Sequence, residues 1–436
     1  MGEPQAASPR GVSRRALLRA GGLTTAAFGL SGCSVLSSAT GVGDSVRVGV
    51  SWSAGELAAF RAVLAGYSGG YELVPLGDDI ASALGARTAG RPDLVAMPQP
   101  GTVSAGIEDL EPLPDDLWRS EYGRITGEET DEPHYALPFK LAHSSVVWYR
   151  PRLFLEHGLE KPTSWEEWLD LNQRIIDDPR LGGAGIAPLA LGGADGWLLA
   201  VSFENVLLRH FDEIYDDLSE PNYDPRLWRG QKVVDALYML ATMWSVPGAI
   251  SGGLDRALVL QYPDAVQEAF LYRRAAMVVA PDYAESVIRG FGTPEDEYDT
   301  FTFPARERFT APLAVAGDLL VLMKPARKPA EDLLRHLAAP EAPLPWIRDT
   351  GGFIAPNLNT DVGEYSKALR NLAREVNDPD QQIRFRLADQ LGSVGGRDGL
   401  ARVLQQLVRE LAAGLPPATV AREAARKMAA IAEAAR

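Results

Sequence analysis

Val46-Arg-Val-Gly-Val-Ser-Trp52, Gly55 to Leu64, Tyr71-Glu-Leu-Val-Pro-Leu76, Asp79 to Ala89 and Asp93-Leu-Val-Ala-Met97 follow one another near the start of the chain and decide the fold. The first segment alternates and predicts a strand. Leu57, Phe60, Val63 and Leu64 recur at helical spacing in the second. The third and fifth are strand-like and the fourth is helical. The order β-α-β-α-β predicts a parallel, doubly wound sheet, because only a crossover helix returns the chain to pair in the same direction. Ligands of such sheets sit beyond the carboxyl ends of the strands. Those ends are Trp52-Ser53, Gly77-Asp78 and Pro98-Gln99.

Outward from this unit, Ala136 to Tyr149 reads as one long extended segment. Pro151 to His157 is a short helix. A second helix opens at Trp165, with Ser164 and Glu167 spaced as a capping box, and stops near Asp178-Pro179. Residues 186–192 read as a buried strand, and a helix runs from Asp195-Gly-Trp197 through Leu208. Further helices are expected over Arg229 to Trp244, Gln261 to Leu271 and Tyr283 to Arg289. Strands are expected at Ala275 to Ala280 and Val315 to Met323, and Phe301-Thr-Phe303 is extended. From Pro329 onward the chain reads as mostly helical.

The N-terminus carries a different message. Ser13-Arg-Arg-Ala-Leu-Leu-Arg19 precedes an apolar run from Ala20 to Leu30, and Leu30-Ser-Gly-Cys33 ends it. A basic segment, a short apolar run and small residues before a cut make a secretory signal. The arginine pair points to twin-arginine export. The tetrapeptide resembles a bacterial lipobox, which implies that Cys33 becomes the lipidated first residue. Ser34 to Asp44 then reads as a flexible tether. Cleavage removes residues 1–32, with four arginines and one glutamate, and takes the net charge from −15 to −18. An acidic chain of this kind excludes binding to nucleic acid, or to an anionic bilayer through its own side chains. Cys33 is the single cysteine, so no disulfide is available. The remaining 404 residues must be held by packing, and that length exceeds a usual single domain.

Taken in order, Leu137-Pro-Phe-Lys-Leu-Ala-His-Ser-Ser-Val-Val-Trp-Tyr149, Leu153-Phe154, Gly158-Leu159 and Pro162-Thr-Ser-Trp-Glu-Glu167 resemble the hallmark region of family 1 extracellular solute-binding proteins. Pro92-Asp-Leu-Val95, Arg274-Ala-Ala-Met277, Gly317-Asp-Leu-Leu-Val321 and Asp349-Thr-Gly-Gly-Phe-Ile-Ala-Pro-Asn357 add to the likeness. It is strongest to the actinobacterial α-glucoside-type branch of these maltose-binding-like receptors of ABC importers. The resemblance implies an α/β, type II periplasmic-binding fold. Two doubly wound lobes are joined by a hinge and followed by extra C-terminal helices. Lobe one is 44–141 plus 314–365, and lobe two is 142–313 plus 366–436. It further implies a carbohydrate held in the cleft, ABC permease subunits as partners, no cofactor or metal, a monomer, and attachment to the extracellular face of the membrane through lipid.

Sugars present apolar C–H faces and hydroxyl pairs, which call for aromatic platforms and charged or amide groups. Trp52 and Ser53 end the first strand, and Gln99 follows the third. Glu56 either reaches hydroxyls or caps its helix. Asp195 and Trp197 open a helix after two glycines, with Asp195 suited to the N-cap. Asp318 lies inside an apolar strand, where a carboxylate must bond a ligand or pin the hinge. From the resemblance come Asp282 and Tyr283, the latter where the maltose receptors place a stacking tryptophan. Lys140 and His143 fall at the hinge, Phe353 in a turn near the cleft, and Arg397 at a position that caps it. Trp148, Trp165, Trp168, Trp228, Trp244 and Trp346 fit the core pattern.

An exported hydrolase and an adaptor without ligand remain as alternatives. Gly66-Tyr-Ser-Gly-Gly70 matches the G-x-S-x-G pattern, but its serine follows a helix and precedes a strand, the reverse of a nucleophile elbow.

Overall fold

A computed structural model describes residues 45–436 except 53, 86–89, 99, 118–121, 123–132, 221–222 and 307–310. The signal, Cys33, the tether, Ser53 and Gln99 lie outside the described residues.

The first sheet begins as the alternation predicts. Strands β1 (Val46–Val50), β2 (Tyr71–Pro75) and β3 (Leu94–Met97) are parallel in the order β2-β1-β3. Val46, Val48 and Val50 are wholly buried on the central strand. The helix Ala54–Leu64 carries the crossover and buries Phe60 and Leu64. Where a helix is expected over Asp79 to Ala89, the described residues form a 3-10 turn, Gly77–Ala81, and one α-turn, Ser82–Gly85, and residues 86–89 lie outside the described residues. Ile80, Ala83 and Leu84 are buried on this stretch.

The sheet is not parallel throughout. Strand β10 (Leu313–Met323) runs antiparallel to β3, and β4 (Leu110–Glu111) and β5 (Leu137–His143) pair antiparallel with β10. Gly317 lets β10 approach β5, since a Cβ there would lie 2.6 Å from the Lys140 carbonyl oxygen.

The segment Ala136 to Tyr149 is two strands in two sheets. β6 (Val146–Tyr149) belongs to a second, four-stranded sheet with β7 (Ala187–Ala190), β8 (Ala275–Val279) and β9 (Asp299–Thr302), in the order β7-β8-β6-β9. Ser144-Ser145 makes the crossing between them. Ser144 N–H donates to the Ala314 carbonyl at 2.8 Å, and Ala314 N–H returns to Ser145 Oγ at 2.8 Å. Phe303 N–H donates to the Ser145 carbonyl, and Asn205 Nδ2 to that of Ser144. Both carbonyls and the Ser144 N–H at the break are thus satisfied from the β9 and β10 ends or from a helix, and Ser145 N–H donates to His143 Nδ1.

The second sheet is covered by the helices Trp165–Asp177, Trp197–His210 and Tyr262–Phe270. The C-terminal helices Arg402–Ala412 and Pro417–Ala435 pack on Gln231–Trp244. The six tryptophans assigned to the core are all buried. Neither β4 nor β11 was expected. β11 (Ile383–Phe385) pairs with Leu313–Val315 of β10, so a piece of the expected second lobe completes the first sheet.

The capping box forms as spaced: Glu167 N–H donates to Ser164 Oγ at 3.2 Å, and Ser164 N–H to Glu167 Oε2 at 3.3 Å. Ser164→Ala is expected to lower the unfolding free energy by about 1 kcal/mol in guanidinium titrations. A loss below about 0.3 kcal/mol would show that Glu167, which also bonds Thr163, holds the turn alone.

Candidate ligand-binding cavity

In the order β2-β1-β3 the chain leaves β1 toward opposite sides, and the ends of β1 and β3 make a switch point. Trp52 and Pro98 follow those two ends, and both line a cavity of about 570 Å³. That volume lies within the range of small-molecule sites.

From the first sheet, Lys140 on β5 and Asp318 on β10 stand opposite each other in register. Lys140 is 4% exposed, and its Nζ donates to Glu56 Oε1 at 2.6 Å. Its ammonium also lies 4.9 Å from the Trp346 ring centroid and 5.5 Å from that of Tyr283, within cation–π range. Trp52 Nε1 donates to Asp318 Oδ2 at 3.1 Å. Trp52 itself packs edge-on against Phe60 and Trp346.

From the second sheet come three aromatic residues at helix starts. Trp197 begins one helix, Tyr262 begins another, and Tyr283 precedes Ala284–Gly290. Their ring centroids lie 5.1, 5.6 and 6.1 Å apart. Arg386 and Asp389, just after β11, close the wall.

Burial governs the charges here. It pushes the Asp318 carboxyl up to about 6, with Lys140 and the Trp52 hydrogen bond pulling back and Glu56 and Asp389 adding to the rise. Burial likewise pushes Asp389 up to about 6, against the pull of Arg386. For Lys140, burial alone favours the neutral amine. Glu56, Asp318 and Asp282 outweigh it and hold the pKa above the usual lysine value. Burial also raises the Tyr283 phenol well above its usual range.

Of the expected contacts, Trp52, Lys140, Trp197, Tyr283 and Asp318 line the cavity. Asp282 sits behind Tyr283, wholly buried, and neither carboxyl oxygen has a hydrogen-bond partner among the described residues. Burial pushes it up to about 8, with Lys140 opposing. His143 does not reach the cavity. Its Nδ1 accepts from Ser145 N–H at 3.2 Å, so Nε2 carries the proton and donates to Glu375 Oε2 at 3.2 Å. Glu375 also accepts from Thr302 Oγ1, so this group ties the helix Lys367–Asn377 to the ends of β5 and β9. Phe353 is buried between Phe139 and Trp346. Asp195 is exposed and caps nothing: Gly196, at φ +75°, takes the N-cap position against Ala401, where a side chain has no room. Arg397 is exposed and away from the cavity.

Tyr262, Arg386 and Asp389 were not anticipated. The reasoning that selected Trp197 at a helix start applies equally to Tyr262, which precedes Pro263 in the first turn. No local signal marks Arg386 or Asp389.

Known proteins are similar to this chain in sequence and in fold. The osmoprotective compounds-binding protein GgtB of Synechocystis sp. is 27% identical over 350 residues, covering 75% of this chain and 79% of that protein. The α-glucosides-binding periplasmic protein AglE of Rhizobium meliloti is 25% identical over 303 residues, 63% of this chain and 62% of its own. The bacterial solute receptor AcbH, described as having an exclusive preference for β-D-galactopyranose, superposes with a TM-score of 0.70 at 18% identity, covering 88% of this chain and 97% of its own. The structural likeness shows the type II periplasmic-binding fold that the motif order implied. The family model for bacterial extracellular solute-binding proteins matches residues 46–342, well over half of the chain, and the chain belongs to that family.

Proposed function

We propose that this protein is the capture subunit of an ABC importer for a neutral, hydroxyl-rich solute, a glucoside or oligosaccharide, held in the cavity between the two sheets. Its family and its structural neighbours are binding proteins and not enzymes. The observation that carries the reading is the facing of unlike walls: three aromatic rings on one side, and the Lys140–Glu56–Asp318 group on the other. Rings take the C–H face of a sugar, and charged groups bond its hydroxyls at about 1.5–3 kcal/mol each. Glu56, Asp318 and Asp389 against Lys140 and Arg386 leave the lining one negative charge in excess, which disfavours anionic solutes.

The lobes are taken as 44–141 plus 314–365 and 142–313 plus 366–436, with β11 reaching back to the first. Closure around the crossings at Ser144-Ser145 and Leu313-Ala314 buries the ligand, and the closed form docks on the permease. The protein acts as a monomer. Twin-arginine export and lipid on Cys33 hold it at the outer face of the membrane. Two acyl chains are needed for stable anchoring, at about 0.8 kcal/mol per buried methylene.

Titration calorimetry with maltose, trehalose, sucrose and D-galactose tests the reading. At pH 7.5 at least one is expected to bind with Kd below about 1 mM, and heats absent for all four at about 10 mM would overturn it. Affinity is also expected to fall several-fold from pH 7.5 to pH 5. Hydroxyl donors favour the ionised forms of Asp318 and Asp389, so protons compete with the ligand once pH drops through about 6. Binding that strengthens on acidification contradicts that role.

A further inference from the structure

The segment 383–391 lies beyond the family-matched residues, yet it is built into the cavity wall. Arg386 N–H donates to the Val315 carbonyl at 2.8 Å. Tyr215 Oη and Gln390 Nε2 both donate to the Phe385 carbonyl, at 2.9 and 2.8 Å. Gly101, on the short helix Pro100–Ala105, touches the segment from the first-sheet side: a Cβ there would lie 2.5 Å from the Gln390 carbonyl oxygen.

Beneath it lies Glu204, wholly buried on the helix whose first residue is Trp197. Glu204 Oε2 accepts from Arg386 Nε at 2.8 Å, and Oε1 from Ala388 N–H at 2.8 Å. Both oxygens are therefore occupied. The guanidinium is anchored by its Nε edge, with Nη1 3.9 Å from Asp389 Oδ1. A buried ion pair of this kind adds little stability over an apolar pair of the same shape. Its presence is explained by what it holds at the cavity: guanidinium donors beside a carboxylate acceptor, a combination that matches two adjacent hydroxyls.

We propose that Arg386 and Asp389 form a donor–acceptor pair that recognises a vicinal hydroxyl pair of the ligand, and that Glu204 is the positioning residue that holds them. This rests on the capture reading above. Asp389 faces Arg386 and Glu204 most closely, and also Asp318, Tyr283 and Tyr215. Glu204 raises the pKa of Asp389 and Arg386 lowers it.

The test is calorimetry on the wild-type protein, Arg386→Gln, Asp389→Asn and Glu204→Gln, with the four sugars above, each variant checked for a cooperative thermal transition. For any sugar that binds the wild type, Arg386→Gln and Asp389→Asn are expected to weaken affinity at least tenfold. Glu204→Gln, which leaves both cavity side chains in place, is expected to weaken it severalfold. It also moves the acidic limb of the affinity profile to lower pH, because it removes a like charge beside Asp389. A purely structural glutamate would lower the melting temperature and leave that limb where it was. Folded Arg386→Gln and Asp389→Asn proteins that bind within threefold of wild type overturn the inference and leave the capture reading standing. A wild-type protein that binds none of the four sugars overturns both. Should Glu204→Gln fail to fold, the two cavity variants still decide the pair.

Discussion

Lys140→Met is expected to lower the unfolding free energy by about 3–5 kcal/mol, the cost of stranding buried charges once their partner is removed. For a protein whose whole margin is of order 5–15 kcal/mol this is a large share. The ammonium is 4% exposed and answers carboxylates from three elements: Glu56 on the first helix, Asp318 opposite it on β10, and Asp282 after β8. Glu56 is partly exposed and can turn to water, whereas Asp318 cannot, and Asp282, pushed up to about 8 by burial, takes a proton instead. The sign with pH follows from Asp318. Its pKa in the folded protein, already about 6, rises further without Lys140, while in the unfolded chain it returns to about 3.9. The folded variant then binds a proton that the unfolded chain releases. Its deficit should therefore shrink as pH falls from 7 toward 5, and grow again above. Guanidinium unfolding at pH 5 and pH 7.5 measures this. Lys140→Met combined with Asp318→Asn should recover part of the loss. Strict additivity of the two substitutions, within about 0.5 kcal/mol, would mean that they share no network.

Gly352→Ala should cost about 2–4 kcal/mol by the same measurement, from strain and a disturbed buried hydrogen bond together. Gly352 has φ +65°, a conformation that L side chains rarely adopt. A Cβ there would lie 2.7 Å from Tyr283 Cα and 3.1 Å from its carbonyl oxygen, backbone atoms that no rotamer change removes. The turn must move, and with it the donation from Gly352 N–H to Glu285 Oε2 at 3.2 Å. Glu285 is fully buried, so a lost donor there is felt. Because Tyr283 is a wall of the cavity, ligand affinity should fall in parallel. Gly290→Ala is the control. It lies in a helix where the added Cβ meets nothing within 4 Å, and a change within about 0.5 kcal/mol of wild type is expected. Equal effects at the two glycines would discard the packing argument.

The alternation in Val46 to Val50, the 3.6-residue spacing of Leu57 to Leu64 and the Ser164–Glu167 cap are relations between residues a few positions apart. Side-chain direction and backbone hydrogen bonding convert them directly into strands, helices and helix ends, so those elements could be read off the chain. The same local reading placed Trp52 and Trp197 at element ends, and such ends converge in an α/β fold. It misjudged Asp195, because the neighbouring glycine takes the left-handed cap position. The resemblance put a lobe boundary at 141/142, and the break falls just beyond it at Ser144-Ser145; the local pattern alone could not show it, since nothing in an unbroken extended run says which sheet each half will join.

The chain by itself therefore determined its class, its early β-α-β-α-β unit and most of its helices. The tertiary structure alone decided which side chains share the cavity. Lys140 meets Glu56 across 84 positions, Arg386 meets Glu204 across 182, and Trp52 meets Asp318 across 266. Periodicity carries no information over such separations. Only the packing of two sheets and their helices brings those charges out of water and against one another, and that burial creates both the cavity and its shifted acidities.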